Sequence, residues 1–229
     1  MERRLLMVRT GTLCLATTPA LWLATPAHAA DAQTSIAGIK EALAIGTENA
    51  VKRLGRENGY FADAAVKILL PGSLQKVAEV ARKAGFQPQV DELVLGMNRA
   101  AERAAPLAAT HFANAIRGMG IRDVQAILKA GDTGATAFFQ RTTREPLHAA
   151  FKPSVARSIE QVGASRAFKN LMERIERVPL LGRPRVDLDE HVTNKALDGL
   201  FFVVGEEEKK IRRDPLARTS SVLKAVFGR

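Results

Sequence analysis

The feature that most constrains the fold is a helical spacing of apolar residues, which recurs in segment after segment of the chain. From Ile36 to Leu54, apolar side chains stand three, four or seven residues apart, so they lie on one face of a helix. Glycines and prolines separate this stretch from others like it, and no alternating apolar run is long enough for a sheet. The sequence therefore predicts an all-α fold, a single bundle of about eight to ten helices with short loops.

Capping and breaking residues set the predicted helix ends. Asp132 and Asp187 are typical N-caps, and Glu190 stands three residues after Asp187, in the capping-box position. Pro146 and Pro153 predict that the helix around them is kinked or in two parts, because proline removes a backbone donor. The predicted helices cover residues 35–54, 73–84, 88–105, 106–117, 122–130, 132–141, 143–163, 166–177, 187–213 and 220–227.

The first 29 residues have the three parts of a secretory signal peptide. A start rich in arginine precedes a short apolar run, Leu13 to Ala24, and the small residues Ala27 and Ala29 then form a cleavage pattern. The run is shorter than the roughly 20 apolar residues of a membrane span, so an uncleaved anchor is the weaker alternative. We therefore predict cleavage after Ala29, by the general or the twin-arginine route, and a periplasmic or secreted domain at residues 30–229.

The predicted mature chain is basic and has no cysteine. Cys14 is the only cysteine and lies in the leader, so the domain is expected to fold without disulfides. The leader carries three Arg and one Glu, which leaves the rest of the chain a net charge of +8. This charge favours an anionic ligand, and the alternative is that it only keeps the chain in solution. The expected partner is therefore an anionic ligand or an envelope protein. Nucleic acid is not expected, because the chain is exported and has few aromatic residues for base stacking. The mature chain has no predicted transmembrane segment, and its oligomeric state stays open.

Residue patterns of the common catalytic sites are absent from the sequence. His111, His148 and His191 do not stand at metal-ligand spacings, and a thiol nucleophile is excluded after cleavage. No phosphate-binding loop, dinucleotide glycine fingerprint or nucleophile elbow is present. We therefore expect no metal and no cofactor, and the sequence favours a role other than catalysis.

One helix carries a set of polar residues on a common face. At about 100° per residue, this face is separate from the apolar face of the same helix. It consists of Asp91, Leu95, Asn98 and Glu102. These residues form a candidate ligand or partner ridge. The alternative is a solvated face on which Arg99 and Arg103 supply weak local ion pairs.

A second candidate is Glu207, in the predicted helix that begins after Asp187. On a helical wheel Glu207 falls near the centre of the apolar stripe, whereas Glu208 falls at its edge. A carboxylate facing the core needs a partner or a proton. The basic candidates for that partner are Arg99, Arg141, Arg144 and Arg212. Glu207 is then either a pocket carboxylate that acts as acid or base, or one half of a buried ion pair that fixes helix register.

Several blocks of residues resemble a known family. The blocks are Leu70 to Lys76, Asp91 to Glu102, Gly131 to Thr143 and Lys195 to Pro215. In this order they are similar to the bacterial exported proteins catalogued as domain of unknown function 4197. The resemblance spans about Ser35 to Phe227. It implies a single helical domain behind a signal peptide, and no assigned reaction or cofactor.

The sequence leaves a first hypothesis and two alternatives for function. The first hypothesis is a non-enzymatic binding or interaction module of the cell envelope, with Asp91, Asn98, Arg99, Glu102, Arg141, Glu207 and Arg212 as candidate contact residues. The second is a hydrolase or lyase with a carboxylate-centred pocket around Glu207. The third is a peripheral binder of anionic envelope lipid.

Overall fold

A computed structural model describes residues 26–175 and 186–213, with side chains for 36–173 and 186–213. This part of the chain forms eight α-helices, joined in two places by a single turn of 3-10 helix at Ala105–Leu107 and Gly131–Thr133. The helices are α1 Pro26–Gly55, α2 Gly72–Lys83, α3 Gln87–Ala104, α4 Ala108–Gly118, α5 Ile121–Lys129, α6 Gly134–Gln161, α7 Ala164–Ile175 and α8 Leu188–Arg213. The all-α prediction is confirmed. The predicted leader up to residue 25 and the predicted helix at 220–227 lie outside the described residues.

Helix α6 is continuous where two predicted helices were expected. The buried side chains Phe139, Leu147 and Phe151 belong to one stripe that runs along the whole helix. Pro146 and Pro153 both lie on the exposed side. A missing backbone hydrogen bond costs less there, because water can reach the freed carbonyl. The helix is therefore in one part, and the two-part alternative was wrong, since the continuous buried stripe offsets the cost of the prolines.

Helix α3 is the central helix of the bundle, and it packs against α1, α2, α6, α7 and α8. Its predicted apolar face is fully buried, from Val90 to Ala104. Gly96 allows α7 to approach closely, because a Cβ at this position would lie 2.7 Å from the Cβ of Ala164. An alanine at position 96 would therefore force α3 and α7 apart.

An aromatic cluster joins α4, α6 and α8. The rings of Phe112 and Phe139 meet edge to face with centroids 5.1 Å apart, and Phe201 contacts Phe112 in the same way at 6.2 Å. All three side chains are at most 1% exposed. The cluster contributes to the packing that fixes the rotation of α8 against α4 and α6, and this rotation sets which side of the helix each polar residue faces.

None of the helices in the described part of the chain has the length and apolarity to cross a bilayer.

Candidate functional site

Asn98 holds the extended segment between α1 and α2 in place. Its side-chain amide donates to the carbonyl of Ile68 at 2.8 Å, and its Oδ1 accepts from the amide of Ile68 at 2.8 Å. The same amide group also donates to the carbonyl of Val94 at 2.8 Å. Asn98 is fully buried, so it is a support for this segment and not a surface contact.

Glu102, one helical turn after Asn98, also holds the segment between α1 and α2 in place. Its Oε1 accepts hydrogen bonds from the backbone amides of Tyr60 and Phe61, both at 3.1 Å. Its Oε2 accepts from Arg99 at 2.6 Å, and Arg99 also binds Glu57 at 3.0 Å. A carboxylate that is 3% exposed thus has backbone and cationic partners, as a buried charge requires.

The predicted ridge on α3 is therefore divided between surface and interior. Asp91 is exposed, with Gln87 as hydrogen-bond partner at 3.4 Å. Asn98 and Glu102 lie beneath residues 56–71, and this corrects the expectation that they share an open face with Asp91. The helical wheel placed them off the main apolar face, and the connection from α1 to α2 covers that side.

The buried carboxylate of α8 is Glu208, and the expectation for Glu207 was wrong. Glu207 is half-buried and accepts a hydrogen bond from Asn49 of α1 at 3.0 Å. Glu208 is 7% exposed and binds Arg212, which was among the predicted partners, with Nε 3.0 Å from Oε1. Adjacent residues of a helix point about 100° apart, so Glu207 and Glu208 cannot both face the core. The packing of α8 turns Glu208 inward.

Glu208 also caps the start of α6. Its two carboxylate oxygens accept from the amides of Ala135 at 3.0 Å and Thr136 at 2.8 Å. The Thr136 hydroxyl donates to it as well, at 2.8 Å. The predicted local cap, Asp132, instead pairs with Arg213. The free amides at the start of α6 are thus satisfied by a residue 72 positions away in the chain.

Arg141 and Glu207 do not complete a pocket with Asn98. Arg141 is exposed and lies over the Phe138 ring, 5.8 Å from its centroid. Each of the three residues has its own separate neighbours. The enzyme hypothesis depended on a core-facing Glu207 beside an arginine, so it loses the observation that motivated it. In the part of the chain with described side chains, His, Asp and Glu residues do not gather as a metal-binding group.

Tyr60 is a buried residue that the sequence analysis did not identify. Its hydroxyl donates to the carbonyl of Ala196 at 2.7 Å, which ties the segment before α2 to α8. Burial, together with the nearby charge of Glu102, raises the pKa of Tyr60 far above its ordinary value. Gly199 makes room for the ring, because a Cβ there would lie 2.8 Å from a Tyr60 ring carbon.

A row of ion pairs joins α6 and α8, and the sequence analysis did not predict it. Arg144 binds Asp198 at 2.8 Å. Glu190 accepts from Lys152 at 2.8 Å and lies 3.0 Å from His148 Nε2. Hydrogen bonds from Lys152, Asn194 and His148 lower the pKa of Glu190 to about 2. The signal was present in the sequence, because 144, 148 and 152 on one helix and 190, 194 and 198 on the other share the spacing of a helix face.

A surface groove lies between residues 65–75 and α8, and we call it the Leu69–Phe202 groove. It has a volume of about 500 Å³. Leu69 is 59% exposed and Phe202 is 45% exposed, although both are large apolar side chains. Lys67 and Lys195 line the groove as well. The Nζ of Lys67 lies 4.0 Å from the Phe61 ring centroid, and His191 Nε2 lies 2.8 Å from the Leu69 carbonyl oxygen.

Comparison with known proteins identifies the family of the chain. Residues 29–228 match the family described as "Protein of unknown function (DUF4197)". No curated protein and no solved structure matches the chain. The family match covers nearly the whole sequence and confirms the resemblance that the sequence blocks indicated. The chain therefore belongs to the DUF4197 family of proteins of unknown function.

Proposed function

We propose that this protein is an exported, non-enzymatic binding module of the cell envelope, and that the Leu69–Phe202 groove is its binding site. The observation that carries the proposal is the exposure of two large apolar side chains, Leu69 and Phe202, in one concave surface. Exposed apolar residues that cluster in a groove are typical of docking surfaces. The partner is an apolar segment of an envelope protein, with acidic residues beside it.

The buried polar residues support a binding role more than a catalytic one. Asn98 is hydrogen-bonded to backbone amide and carbonyl groups, and Glu102 and Glu208 accept from backbone amides and from arginines. These residues therefore hold the 56–71 segment and the start of α6 in place. Because residues 65–71 of this segment belong to one wall of the groove, the network fixes the shape of the groove before a partner arrives.

The charges at the groove support an acidic partner. Lys67 and Lys195 are lining residues, whereas the lining carboxylate Asp198 is already bound to Arg144 at 2.8 Å. Lys195 lies 3.4 Å from the same carboxylate, so its pairing is weak and exposed. A carboxylate on the partner can therefore approach a cationic edge, which raises the association rate and selects the partner.

Site-specific photo-crosslinking in the native envelope tests this proposal. A photoreactive phenylalanine at position 202 is compared with the same group at the exposed position Glu173 on α7. We expect a discrete protein adduct at 202 and not at 173. The adduct should weaken strongly in the double variant Lys67→Glu, Lys195→Glu. Equal labelling at both positions, a lipid adduct at 202, or no adduct would contradict the proposal.

A fluorescence assay checks the partner once mass spectrometry has identified it. Trp22 is the only tryptophan and lies in the predicted leader, so Phe202→Trp gives the mature chain a single reporter. We expect its emission to shift to the blue when the acidic segment of the partner is added as a peptide. An unchanged spectrum at saturating peptide would place that contact outside the groove.

Export is tested separately, on the intact mass of the protein from fractionated cells. The family match begins at residue 29, next to the predicted cleavage after Ala29, and this supports removal of the leader. We expect a periplasmic or secreted product that begins at Ala30. Material that retains Met1 would contradict export by cleavage, whatever the result at the groove.

A further inference from the structure

Helix α5 has one broad apolar side, and one edge of it is exposed. Val124 and Ile127 are 2% exposed and pack into the core. Ile121 is 58% exposed and Leu128 is 40% exposed. These two stand seven residues apart, so they lie on one outer face of the helix. Core packing therefore buries one edge of the apolar side of α5 and leaves the other edge, with Ile121 and Leu128, in contact with solvent.

Basic side chains lie beside this exposed edge and near both ends of the helix. Arg122 and Lys129 are exposed on α5 itself. Before the start of the helix Lys40 donates to the carbonyl of Arg117 at 3.4 Å, which places the Lys40 ammonium at the connection between α4 and α5. At its end Arg212 donates to the carbonyl of Ile127 at 3.1 Å, so the basic end of α8 lies against α5.

The carboxylates near α5 are already engaged. Asp123 accepts a hydrogen bond from the Gly120 amide at 2.9 Å, at the start of the helix. Asp132 pairs with Arg213 of α8. Arg212 is likewise paired with Glu208. In the described part of the chain, the positive balance beside the apolar residues therefore comes from Arg122, Lys129 and Lys40, set against the charge that Asp123 retains.

We propose that the outer face of α5 binds the surface of a phospholipid bilayer that carries anionic headgroups. Apolar residues on one side of a short helix, with Lys and Arg beside them, are the pattern of helices that lie in the interface plane. Ile121 and Leu128 enter the boundary between headgroups and acyl chains. Arg122 and Lys129 contact the headgroup phosphates. The occupant is a membrane surface, because the charge complements anionic lipid and the apolar side chains need a non-aqueous layer.

Vesicle binding by the full mature chain tests the inference. Vesicles that contain phosphatidylglycerol are compared with vesicles of phosphatidylcholine alone, by co-sedimentation at low and high salt. We expect binding to the anionic vesicles only, and loss of binding at high salt, because salt screens surface charges. Leu128→Trp supplies a reporter that should shift to the blue on the anionic vesicles.

Two pairs of substitutions test the basic residues and the apolar residues of α5 separately. Arg122→Glu with Lys129→Glu should weaken binding at least about tenfold, since each basic residue near the membrane contributes measurably. The matched control is Arg157→Glu with Arg166→Glu, which changes the same net charge at exposed positions of α6 and α7. Ile121→Ser with Leu128→Ser should weaken binding as well, by removing the apolar contact. Circular dichroism checks that each variant is folded.

Several results would overturn the inference. They are an absence of binding to the anionic vesicles at low salt, an equal effect of the control pair, and full binding by the serine variant. A wild-type dimer in sedimentation that dissociates in the serine variant would assign the face to a second copy of the chain. The groove experiments use other residues, so the two proposals succeed or fail independently.

Discussion

Replacing Glu208 tests the claim that tertiary contacts, and not local sequence, hold the start of α6. Glu208→Ala removes the acceptor for the Ala135 and Thr136 amides and the partner of Arg212. Glu207→Ala is the matched control, because it removes the same group from the neighbouring position, where the carboxylate is half-buried and has the Asn49 amide as partner.

The structure gives the expected magnitudes. Loss of an N-cap costs about 0.5–2 kcal/mol. Removing one partner of a buried ion pair costs about 3–5 kcal/mol, and the Arg212 side chain is only 13% exposed. The two contributions share one carboxylate, so we expect Glu208→Ala to lower the free energy of unfolding by about 3–5 kcal/mol in total. Glu207→Ala should cost below about 1 kcal/mol.

The assay is urea unfolding monitored by the helical circular dichroism signal. Midpoints are compared only between variants whose unfolding free energy has the same slope against urea concentration. Glu208→Gln adds a second test, because it keeps the volume and one acceptor oxygen. We expect it to cost about 1–3 kcal/mol, between the other two variants. A loss below about 1 kcal/mol in Glu208→Ala, or an equal loss in Glu207→Ala, would refute the argument.

The other predictions concern the 56–71 segment and the α6–α8 ion pairs. Asn98→Ala should lower the free energy of unfolding by about 2–4 kcal/mol in urea melts, because it leaves two buried polar groups of Ile68 without partners. Tyr60 is the only tyrosine, and its pKa is raised in the folded chain. Stability that depends on its protonated form is therefore complete below its unfolded pKa near 10 and is lost progressively as the pH rises above that value. Absorbance at the phenolate wavelength should appear only together with unfolding, and a reversible titration near pH 10 in folded protein would contradict burial. Glu190 has a lowered pKa, so its contribution is present above its unfolded value near 4.5 and is lost as the pH falls towards 2. The difference in urea midpoint between wild type and Glu190→Gln should therefore shrink from pH 6 to pH 2, and a constant difference would contradict the assignment.

The predictions from sequence succeeded where a residue acts within its own helix. Asp187 was predicted as an N-cap, and its Oδ1 accepts from the Glu190 amide at 2.9 Å. The apolar face of α3 was predicted correctly, because it follows from the helical period alone. Such features depend on residues three or four positions apart in the chain, so they can be read from the sequence alone.

The predictions failed where a partner comes from a distant part of the chain. Asp132 was expected to cap α6, but Glu208 of α8 supplies that cap. Asn98 and Glu102 were assigned to an open ridge, but the connection between α1 and α2 covers them. A helical wheel gives the side of a helix and gives no information on what packs there.

The amino-acid sequence by itself determined the helical class, the family and most helix ends, because helical period, prolines, glycines and caps act over a few residues. Only the tertiary structure decided that α6 continues past its prolines, that Glu208 and not Glu207 is buried, and that Leu69 and Phe202 share one groove. Each of these depends on how α8 is rotated against its neighbours. That rotation is fixed by the packing of side chains such as Phe112, Phe139 and Phe201, which the chain brings together only on folding.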